Sequence, residues 1–351
     1  MLRTALLTTL ALTSCGFDSG SNVSSSSSSS SSDTGLSTSG IEPTTVSATL
    51  GTQSGTATST GTADTTGGSS SSETDPDTGT SETTGASLWG PFEDILPVDG
   101  VNDMFAADDD PTLSSDLLEI YFNSTRLGQE DIFVARRASA EDPFEAAEYV
   151  AELSSPFIDT VPELSPDGLV MTLSNNQPAG AGNFDVFVST RDDLESLWSS
   201  PVPIEELNTI DGDGSLSMTE DGLSAVLCLN VLARNDYQLF TTTRPALDEP
   251  WEVPTVIDAL LSRGRDCSPW LSPDGSELWW GSNRPRPVED TNLYRVAMVD
   301  GAPDGEIEEI AELSTDFTDD DPWLSADGSV IVFTSDRDGN LDLYTARREL
   351  L

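Results

Sequence analysis

Residues 319–348 read DDDPWLSADGSVIVFTSDRDGNLDLYTARR, the clearest of five copies of one repeat that fills the chain after residue 88. Each copy has an acidic lead-in, a short apolar strand, a Ser/Asp/Gly turn, a second strand, a polar turn and a third strand. The copies begin at lead-in aspartates that are separated by 51, 54, 53 and 53 residues: Asp108, Asp159, Asp213, Asp266 and Asp319. A fixed period of about 50 residues built from short strands predicts a β-propeller whose blades are four-stranded sheets.

A fourth apolar segment completes each repeat. Such segments lie between the copies at residues 144–153, 198–207, 251–260 and 306–313, and another precedes the first copy at residues 89–98. The chain therefore begins with a fourth strand and ends with a third strand. We expect an all-β, five-bladed propeller of four-stranded antiparallel blades, closed by the N-terminal strand together with three C-terminal strands, because this closure leaves no blade incomplete.

The turn motif adds a family resemblance. It reads PELSPDG at residues 162–168, PWLSPDG at 269–275 and PWLSADG at 322–328, each followed by an apolar strand. This pattern resembles the TolB-type propeller repeat, which is related to WD-repeat propellers, and it covers residues 88–351. The resemblance implies the propeller fold and, for envelope members of the family, protein binding. A fold of this kind hosts scaffolds and enzymes alike, so it does not fix the function.

The N-terminus predicts export and lipid attachment. Residues 1–15, MLRTALLTTLALTSC, place one arginine, a short apolar run and small residues before Cys15. This arrangement resembles a bacterial lipobox, which implies cleavage before Cys15 and lipidation of its thiol; the alternative is an ordinary cleaved signal peptide with an incidental cysteine. Acyl chains hold a protein on a membrane without a transmembrane helix. Gly16 after the cysteine favours the outer membrane by the same resemblance.

Residues 16–87 consist almost entirely of Ser, Thr, Gly and Ala, with scattered acidic residues. Such a segment has too little apolar surface to offset the entropy of ordering, so we predict a disordered tether. A flexible coil of this length has a typical end-to-end distance of about 45 Å. The predicted domains are therefore a signal peptide at 1–15, a linker at 16–87 and a propeller at 88–351.

Charge and residue types narrow the chemistry. The chain has a net charge of −47, no histidine and, by inspection, no lysine, so all 15 of its basic residues are arginine. The acidic surface argues against nucleic acid and anionic lipid as partners. Catalytic triads with histidine, histidine zinc sites and lysine Schiff bases are excluded. We predict a monomeric, non-catalytic scaffold for an envelope protein or glycan ligand, with a carboxylate-dependent glycoside hydrolase or a calcium-stabilised carbohydrate-binding propeller as alternatives.

The lead-in aspartates are the main candidate site. The first strand of a propeller blade lines the central channel, so Asp108, Asp159, Asp213, Asp266 and Asp319 should form a ring near one mouth. One interpretation is a Ca²⁺ site, since Ca²⁺ takes several carboxylate oxygens. A second is a pair of glycosidase carboxylates. The third is that each aspartate caps the loop before its own strand, and recurrence in all five copies favours this one.

Three further groups of residues have alternative interpretations. Cys228 and Cys267 should lie at the same end of adjacent blades, either as a disulfide or as two buried thiols. The tryptophans of the fourth and fifth repeats form either a sugar platform or packing between blades: Trp270, Trp279, Trp280 and Trp323. Arginines recur before the third strand, where we expect polar pairs within each blade: Arg126, Arg284 and Arg337.

Overall fold

The computed structural model describes residues 89–178, 180–231, 236–284 and 290–351. The predicted signal peptide, the lipidated Cys15 and the predicted linker lie outside the described residues. Within the described ranges, the secondary structure is almost entirely strand. No helix in these ranges has the length and apolar composition needed to cross a bilayer.

The strands form five separate four-stranded sheets. A single strand, β1 (Glu93–Pro97), precedes the first blade. The first blade contains β2 (Asp108–Leu113), β3 (Glu119–Ser124), β4 (Asp131–Arg136) and β5 (Glu148–Tyr149). The second contains β6 (Asp159–Leu164), β7 (Val170–Asn175), β8 (Asp185–Thr190) and β9 (Val202–Pro203). The third contains β10 (Asp213–Met218), β11 (Ser224–Val231), β12 (Asp236–Thr243) and β13 (Thr255–Val256), which a short 3₁₀ helix (Asp258–Leu260) follows.

The last two blades complete the ring. The fourth contains β14 (Asp266–Leu271), β15 (Glu277–Ser282), β16 (Asn292–Val299) and β17 (Ala302–Glu309). The fifth contains β18 (Asp319–Leu324), β19 (Val330–Ser335) and β20 (Asp342–Arg347), and its outer strand is β1. All pairings are antiparallel; β1 pairs with β20 through Leu96 opposite Thr345. The predicted five-bladed propeller and its closure by one N-terminal and three C-terminal strands are confirmed.

The turns between the first two strands of each blade show why the repeat is so regular. In the second blade, Ser165 Oγ donates to Asp167 Oδ1 at 2.6 Å, and the Leu169 amide donates to the same oxygen at 3.0 Å. Gly168 then takes a φ of 72°, which residues with a Cβ rarely adopt. The same contacts recur in the other blades, so three or four local residues fix each hairpin.

Apolar side chains fill the spaces between neighbouring blades. Trp279 and Trp280 are fully buried there, and Phe92 from the N-terminal segment packs edge-on against Trp279. Trp270 and Trp323 are also buried, although both border the central channel. The sugar-platform interpretation of the four tryptophans is therefore wrong for Trp279 and Trp280, because both side chains are fully buried between blades.

Candidate functional site

The innermost strands carry an irregularity that shapes the channel. Each one has a bulge just after its lead-in aspartate, for example between Asp109 and Thr112. In four blades the second residue after that aspartate has a left-handed backbone, with φ between 52° and 53°: Asp110, Val161, Ser268 and Asp321. This conformation is costly for residues with a Cβ and persists only where the surroundings impose it. One small cavity contacts all four residues, so the bulges bring them together on the channel axis.

The lead-in aspartates do not line that cavity, and all five are buried. Each accepts a hydrogen bond from a residue four or five positions earlier, in the loop that enters its own strand. The Ser155 amide donates to Asp159 at 2.5 Å, and the Thr315 amide donates to Asp319 at 2.7 Å. Backbone amides likewise donate to Asp108 and Asp213, whereas the donor to Asp266 is the Ser262 hydroxyl. These are the contacts that the loop-capping interpretation predicts, and a cation bound by this ring stays a prediction.

Three lead-in aspartates also have an arginine partner, 18 residues later in the same blade. Arg126 contacts Asp108 at 2.5 Å, and Arg337 contacts Asp319 at 2.5 Å. Arg284 makes the equivalent ion pair with Asp266. The recurring arginines thus form polar pairs within a blade, as expected, but their partners are the lead-in aspartates. The guanidinium groups also stack on aromatic rings of the second and third strands.

The third blade departs from this pattern. Its sequence has Val231 at the position of the recurring arginine. The described hydrogen bonds of the Asp213 carboxyl come from the Thr209 amide at 2.5 Å and the Thr209 hydroxyl at 2.8 Å. The pKa of Asp213 is raised to about 7, mainly by burial and also by the nearby carboxylates of Asp185 and Asp211, while the hydrogen bonds from Thr209 act to lower it. Asp213 is therefore a buried acid that gives up its proton near neutral pH.

A second acidic group lies one or two residues after two of the lead-in aspartates. The carboxylates that converge are those of Asp109 and Asp110 from the first blade and Asp321 from the fifth, whose oxygens lie within 4.8 Å of one another. Burial is the largest cause of the raised pKa of each, and neighbouring carboxylates raise the pKa of Asp110 and Asp321 further. Three carboxylates at this range have the donor type that Ca²⁺ prefers. The sequence signal was the DDDP run, which only these two adjacent blades contain.

A fourth carboxylate beside this cluster, Asp320, is held differently. Arg265 donates to its Oδ2 atom at 2.7 Å, and the Thr291 hydroxyl donates to the same atom at 3.1 Å. Gly281 of the neighbouring blade makes room for it, since a Cβ there would lie 1.5 Å from Asp320 Oδ1. Asp320 therefore links the fourth and fifth blades and is less available to a ligand than its neighbours.

The channel continues from the acidic cluster to the opposite mouth. The cavity beside the cluster holds about 10 Å³ and the cavity at the far mouth about 40 Å³, and Glu163 borders both. Within the described residues, the Glu163 carboxyl has no hydrogen bond or ion pair. Burial raises its pKa well above the ordinary value, and Asp110 adds to the rise. Sequence analysis did not single out Glu163.

Exposed apolar side chains surround the mouth on the acidic side. Loops from a fourth strand to the next first strand end at the lead-in aspartates, so they all lie at this end of the ring. Together with one neighbouring turn they carry six exposed apolar residues, which we call the crown: Met104, Phe105, Leu127, Phe157, Ile210 and Phe317. Phe105 is 90% exposed. Four of the five loops contribute, and the fourth blade has exposed Arg263 instead. Sequence reasoning missed the crown, although its signal was an apolar residue two or three positions before four of the lead-in aspartates.

The two cysteines meet where the third and fourth blades join. Their Cα atoms are 5.0 Å apart and their sulfur atoms lie at bonding distance, a Cα spacing typical of disulfides. A Cβ at Gly214 would lie 2.4 Å from Cys228 Sγ, so glycine leaves room for the pair. The equivalent junction between the fifth and first blades uses a hydrogen bond, from the Asp110 amide to Thr334 Oγ1 at 3.2 Å.

Comparison with known proteins supports the fold. No protein-family model matches the chain, and no curated protein matches it either. Among solved structures, the catalytic domain of an α-L-arabinofuranosidase from Coprinopsis cinerea is similar, with a TM-score of 0.51, 11% identity and coverage of 74% of this chain and 96% of that one. A family 117 glycoside hydrolase from Zobellia galactanivorans gives a TM-score of 0.50, 13% identity and coverage of 75% and 91%.

A TolB structure is also among the similar proteins. TolB from Acinetobacter baumannii has a TM-score of 0.43 and 16% identity, with 73% of this chain covering 54% of that one. This chain thus spans about half of that protein. The two glycoside hydrolase structures, with TM-scores of 0.51 and 0.50 at 11% and 13% identity, show a shared fold and do not transfer an activity.

Proposed function

We propose that this chain is a lipid-anchored propeller of the bacterial cell envelope, held at the outer membrane through Cys15, that binds a partner protein and catalyses no reaction. The crown is the observation that carries this proposal. Large exposed apolar side chains recur on four equivalent loops at one end of the ring. Blade packing does not require them there, and clustered exposed apolar residues mark interaction surfaces.

The surroundings of the crown define the partner's chemistry. The crown encircles a mouth whose carboxylates are crowded, on a chain of net charge −47. A partner surface that combines apolar side chains with arginine or lysine complements both the apolar crown and the acidic mouth. The negative electrostatic potential of the mouth would speed the association of such a partner. Nucleic acid and anionic lipid would be repelled. The tether predicted from the sequence, with a typical end-to-end distance of about 45 Å, would let the propeller reach a partner while it stays anchored.

The glycoside hydrolase alternative fits the described channel less well. Sites for small ligands have volumes of roughly 300–1,000 Å³, whereas the two channel cavities hold about 10 and 40 Å³. The lead-in carboxylates are already bonded to their own loops. A larger groove of about 640 Å³ lies between the third and fourth blades, but hydrogen bonds of the turns lower the pKa of its Asp221 and Asp274, as expected for turn residues.

The experiment compares two faces of the same protein. A crown variant replaces Phe105, Phe157 and Phe317 by Ser, and a control variant replaces Leu194, Leu197 and Leu247 by Ser. The control residues are also exposed, but they lie on loops after the third strands, at the opposite end. We expect the parent and the control to capture the same protein from envelope extract and the crown variant to lose it.

Two outcomes would count against the proposal. If all three proteins capture the same partner, the crown is not the binding surface. If the purified protein cleaves a member of a glycan panel and loses that activity on substitution of one channel carboxylate, the hydrolase alternative replaces the scaffold.

A further inference from the structure

One contact at the end of the ring opposite the crown recurs in four blades. In these blades an arginine directly follows the third strand, and its Nε atom donates to a carbonyl of the turn between the first two strands at 2.6–2.7 Å. The pairs are Arg137 with Leu117, Arg191 with Gly168, Arg244 with Gly222 and Arg348 with Gly328. Each guanidinium group also stacks on an aromatic ring of the fourth segment of its blade: Phe144, Trp198, Trp251 and Phe92.

The fourth blade lacks both the arginine and the ring. Met298 stands at the position of the arginine, since its amide donates to the Ser276 carbonyl at 2.7 Å as the arginine amides do in their own blades. In the first three blades the ring lies 15 residues before the next lead-in aspartate, and the fourth blade has Asp304 there. The acceptor equivalent to the other turn carbonyls is that of Gly275, and no hydrogen bond from the described residues reaches it.

The loop that carries the arginine and the ring is missing as well. Residues 137–147, 191–201 and 244–254 join the third and fourth strands of the first three blades, whereas Asp300 and Gly301 alone do so in the fourth. A groove of about 640 Å³ lies beside the turn that such a loop would cover, and Gly275, Met298 and Asp300 border it. The groove between the fifth and first blades, which a complete loop borders, holds about 290 Å³. The missing loop therefore leaves a groove with the size of a ligand site.

The groove of the fourth blade is acidic. Its described lining contains no basic residue and four carboxyl side chains: Glu220, Asp221, Asp274 and Asp300. Bonds from the Leu223 amide and the Ser276 hydroxyl lower the pKa of Asp221 and Asp274 respectively, so both carboxyls are ionised at neutral pH. The hydrogen bonds that the turns make to these two carboxylates all end on Oδ1. Their Oδ2 atoms are therefore left for a ligand.

A guanidinium group suits this combination of acceptors. Its five N–H donors lie in one plane, so that one group can donate to a carbonyl and to a carboxylate together, whereas an ammonium group is a compact point charge without this fork. The fold itself places a guanidinium group on the equivalent carbonyl in the four other blades. The carboxylates of the groove would repel the α-carboxylate of free arginine, and an arginine within a polypeptide lacks that charge.

We propose that the groove beside the fourth-blade turn binds an arginine side chain of a partner protein, which donates to the Gly275 carbonyl and to the carboxylates of the groove. The partner thus supplies the arginine that the four other blades supply from their own loops. Such a site rests on the proposed binding function and adds a second contact surface to it. Because the groove and the crown lie at opposite ends of the ring, each can be altered without the other.

The test titrates the purified full chain with Nα-acetyl-arginine-N-methylamide and measures the heat of binding. The citrulline analogue has a similar shape without the charge, the lysine analogue has a different cation, and free arginine adds the α-carboxylate. We expect the blocked arginine to bind at least fivefold more tightly than each of these three compounds.

Two variants with matched charge locate the site. E220Q/D300N removes two carboxylates of the groove and should weaken binding at least fivefold; Asn tolerates the left-handed backbone of Asp300, whose φ is 51°. The control D192N/E195Q removes two exposed carboxylates from the second-blade loop at the same end of the ring and should bind as the parent does.

A third variant supplies the arginine from the chain itself. M298R should no longer bind the blocked arginine and should melt at a higher temperature than M298K, because lysine lacks the fork of donors. If M298R does not fold, the comparison of E220Q/D300N with its control still decides. The proposal is overturned if the blocked arginine does not bind the parent, if any of the three other compounds binds as tightly, or if E220Q/D300N and D192N/E195Q bind it equally. The crown variant should bind the blocked arginine as the parent does, so that failure of the crown and failure of the groove give different results.

Discussion

Asp213 offers a quantitative test of the electrostatics of the ring. Replacing it by Asn keeps the size of the side chain and an oxygen that can accept from the Thr209 amide. The parent carboxyl has a pKa of about 7 in the folded state against an ordinary value of 3.8. Three pKa units correspond to about 4 kcal/mol. This value is an upper limit for the change in the free energy of unfolding, because burial is the main cause of the shift and the neighbouring carboxylates of Asp185 and Asp211 also titrate.

The sign follows from proton binding. Between pH 4 and pH 7 the folded state keeps a proton on Asp213 that the unfolded state has lost. The free energy of unfolding therefore falls as pH rises through this window and becomes level above pH 7. In D213N this contribution is absent. Relative to the parent, the variant should gain up to about 4 kcal/mol between pH 4 and pH 8.

Urea unfolding at a series of pH values, followed by tryptophan fluorescence, measures this difference. The matched control is D319N, which removes a carboxylate at the equivalent position of the fifth blade, where Arg337 is its partner. Removing one member of a buried ion pair leaves the other uncompensated, so D319N should be less stable than the parent at pH 8 by about 3–5 kcal/mol. If D213N differs from the parent by the same amount at pH 4.5 and pH 8.5, Asp213 titrates in the ordinary range and the reasoning is wrong.

Three other predictions test the remaining contacts. A disulfide between Cys228 and Cys267 would close a loop of sequence separation 39, so reduction should lower stability by about 4 kcal/mol on the chain-entropy model; thiols that react with an alkylating agent without reductant would contradict it. Deleting residues 89–98 exposes the edge of β20 and removes Phe92 and Val98 from the core, so the truncated protein should aggregate; a monomer with unchanged melting temperature would rule this out. Millimolar Ca²⁺ should raise the melting temperature, since a ligand at 100 times its Kd adds about 2.7 kcal/mol. If the double variant D110N/D321N loses this rise, the cation binds at the three-carboxylate cluster. If a variant with Asp213, Asp266 and Asp319 replaced by Asn loses it, the cation binds at the lead-in ring. Identical melting curves of the parent in calcium and in chelator reject both sites.

The sequence predicted the fold well because the repeat is specified locally. Each Ser-x-Asp-Gly turn is closed by bonds among residues two positions apart, as between Ser165 and Asp167, and its period marks the blades without knowledge of their packing. The one-plus-three closure followed from counting strands. The lengths of the outer strands were less predictable. β5, β9 and β13 have two residues each, because only two residue pairs join each of them to the third strand of its blade.

The site was predicted less well because it depends on backbone geometry that composition does not reveal. The converging carboxylates of Asp109, Asp110 and Asp321 lie one or two positions after the lead-in aspartates, and Asp110 and Asp321 have left-handed backbones. A regular strand would have pointed alternate residues to opposite faces, and the sequence contains no glycine at these positions to suggest the bulge. The arginine pairs join residues 18 positions apart, so the partner could be identified only once the blade was folded.

Equivalence between blades separates structural residues from candidates for function. A feature that every blade needs for folding should appear in every blade, as the loop caps and the Asp-turn contacts do. A residue that breaks the pattern has to be explained by something outside its own blade. The position of Glu163 is not of this kind: Thr112 and Ser217 accept hydrogen bonds there, but Trp270 and Trp323 occupy it in the fourth and fifth blades, so the blades share no pattern that Glu163 could break.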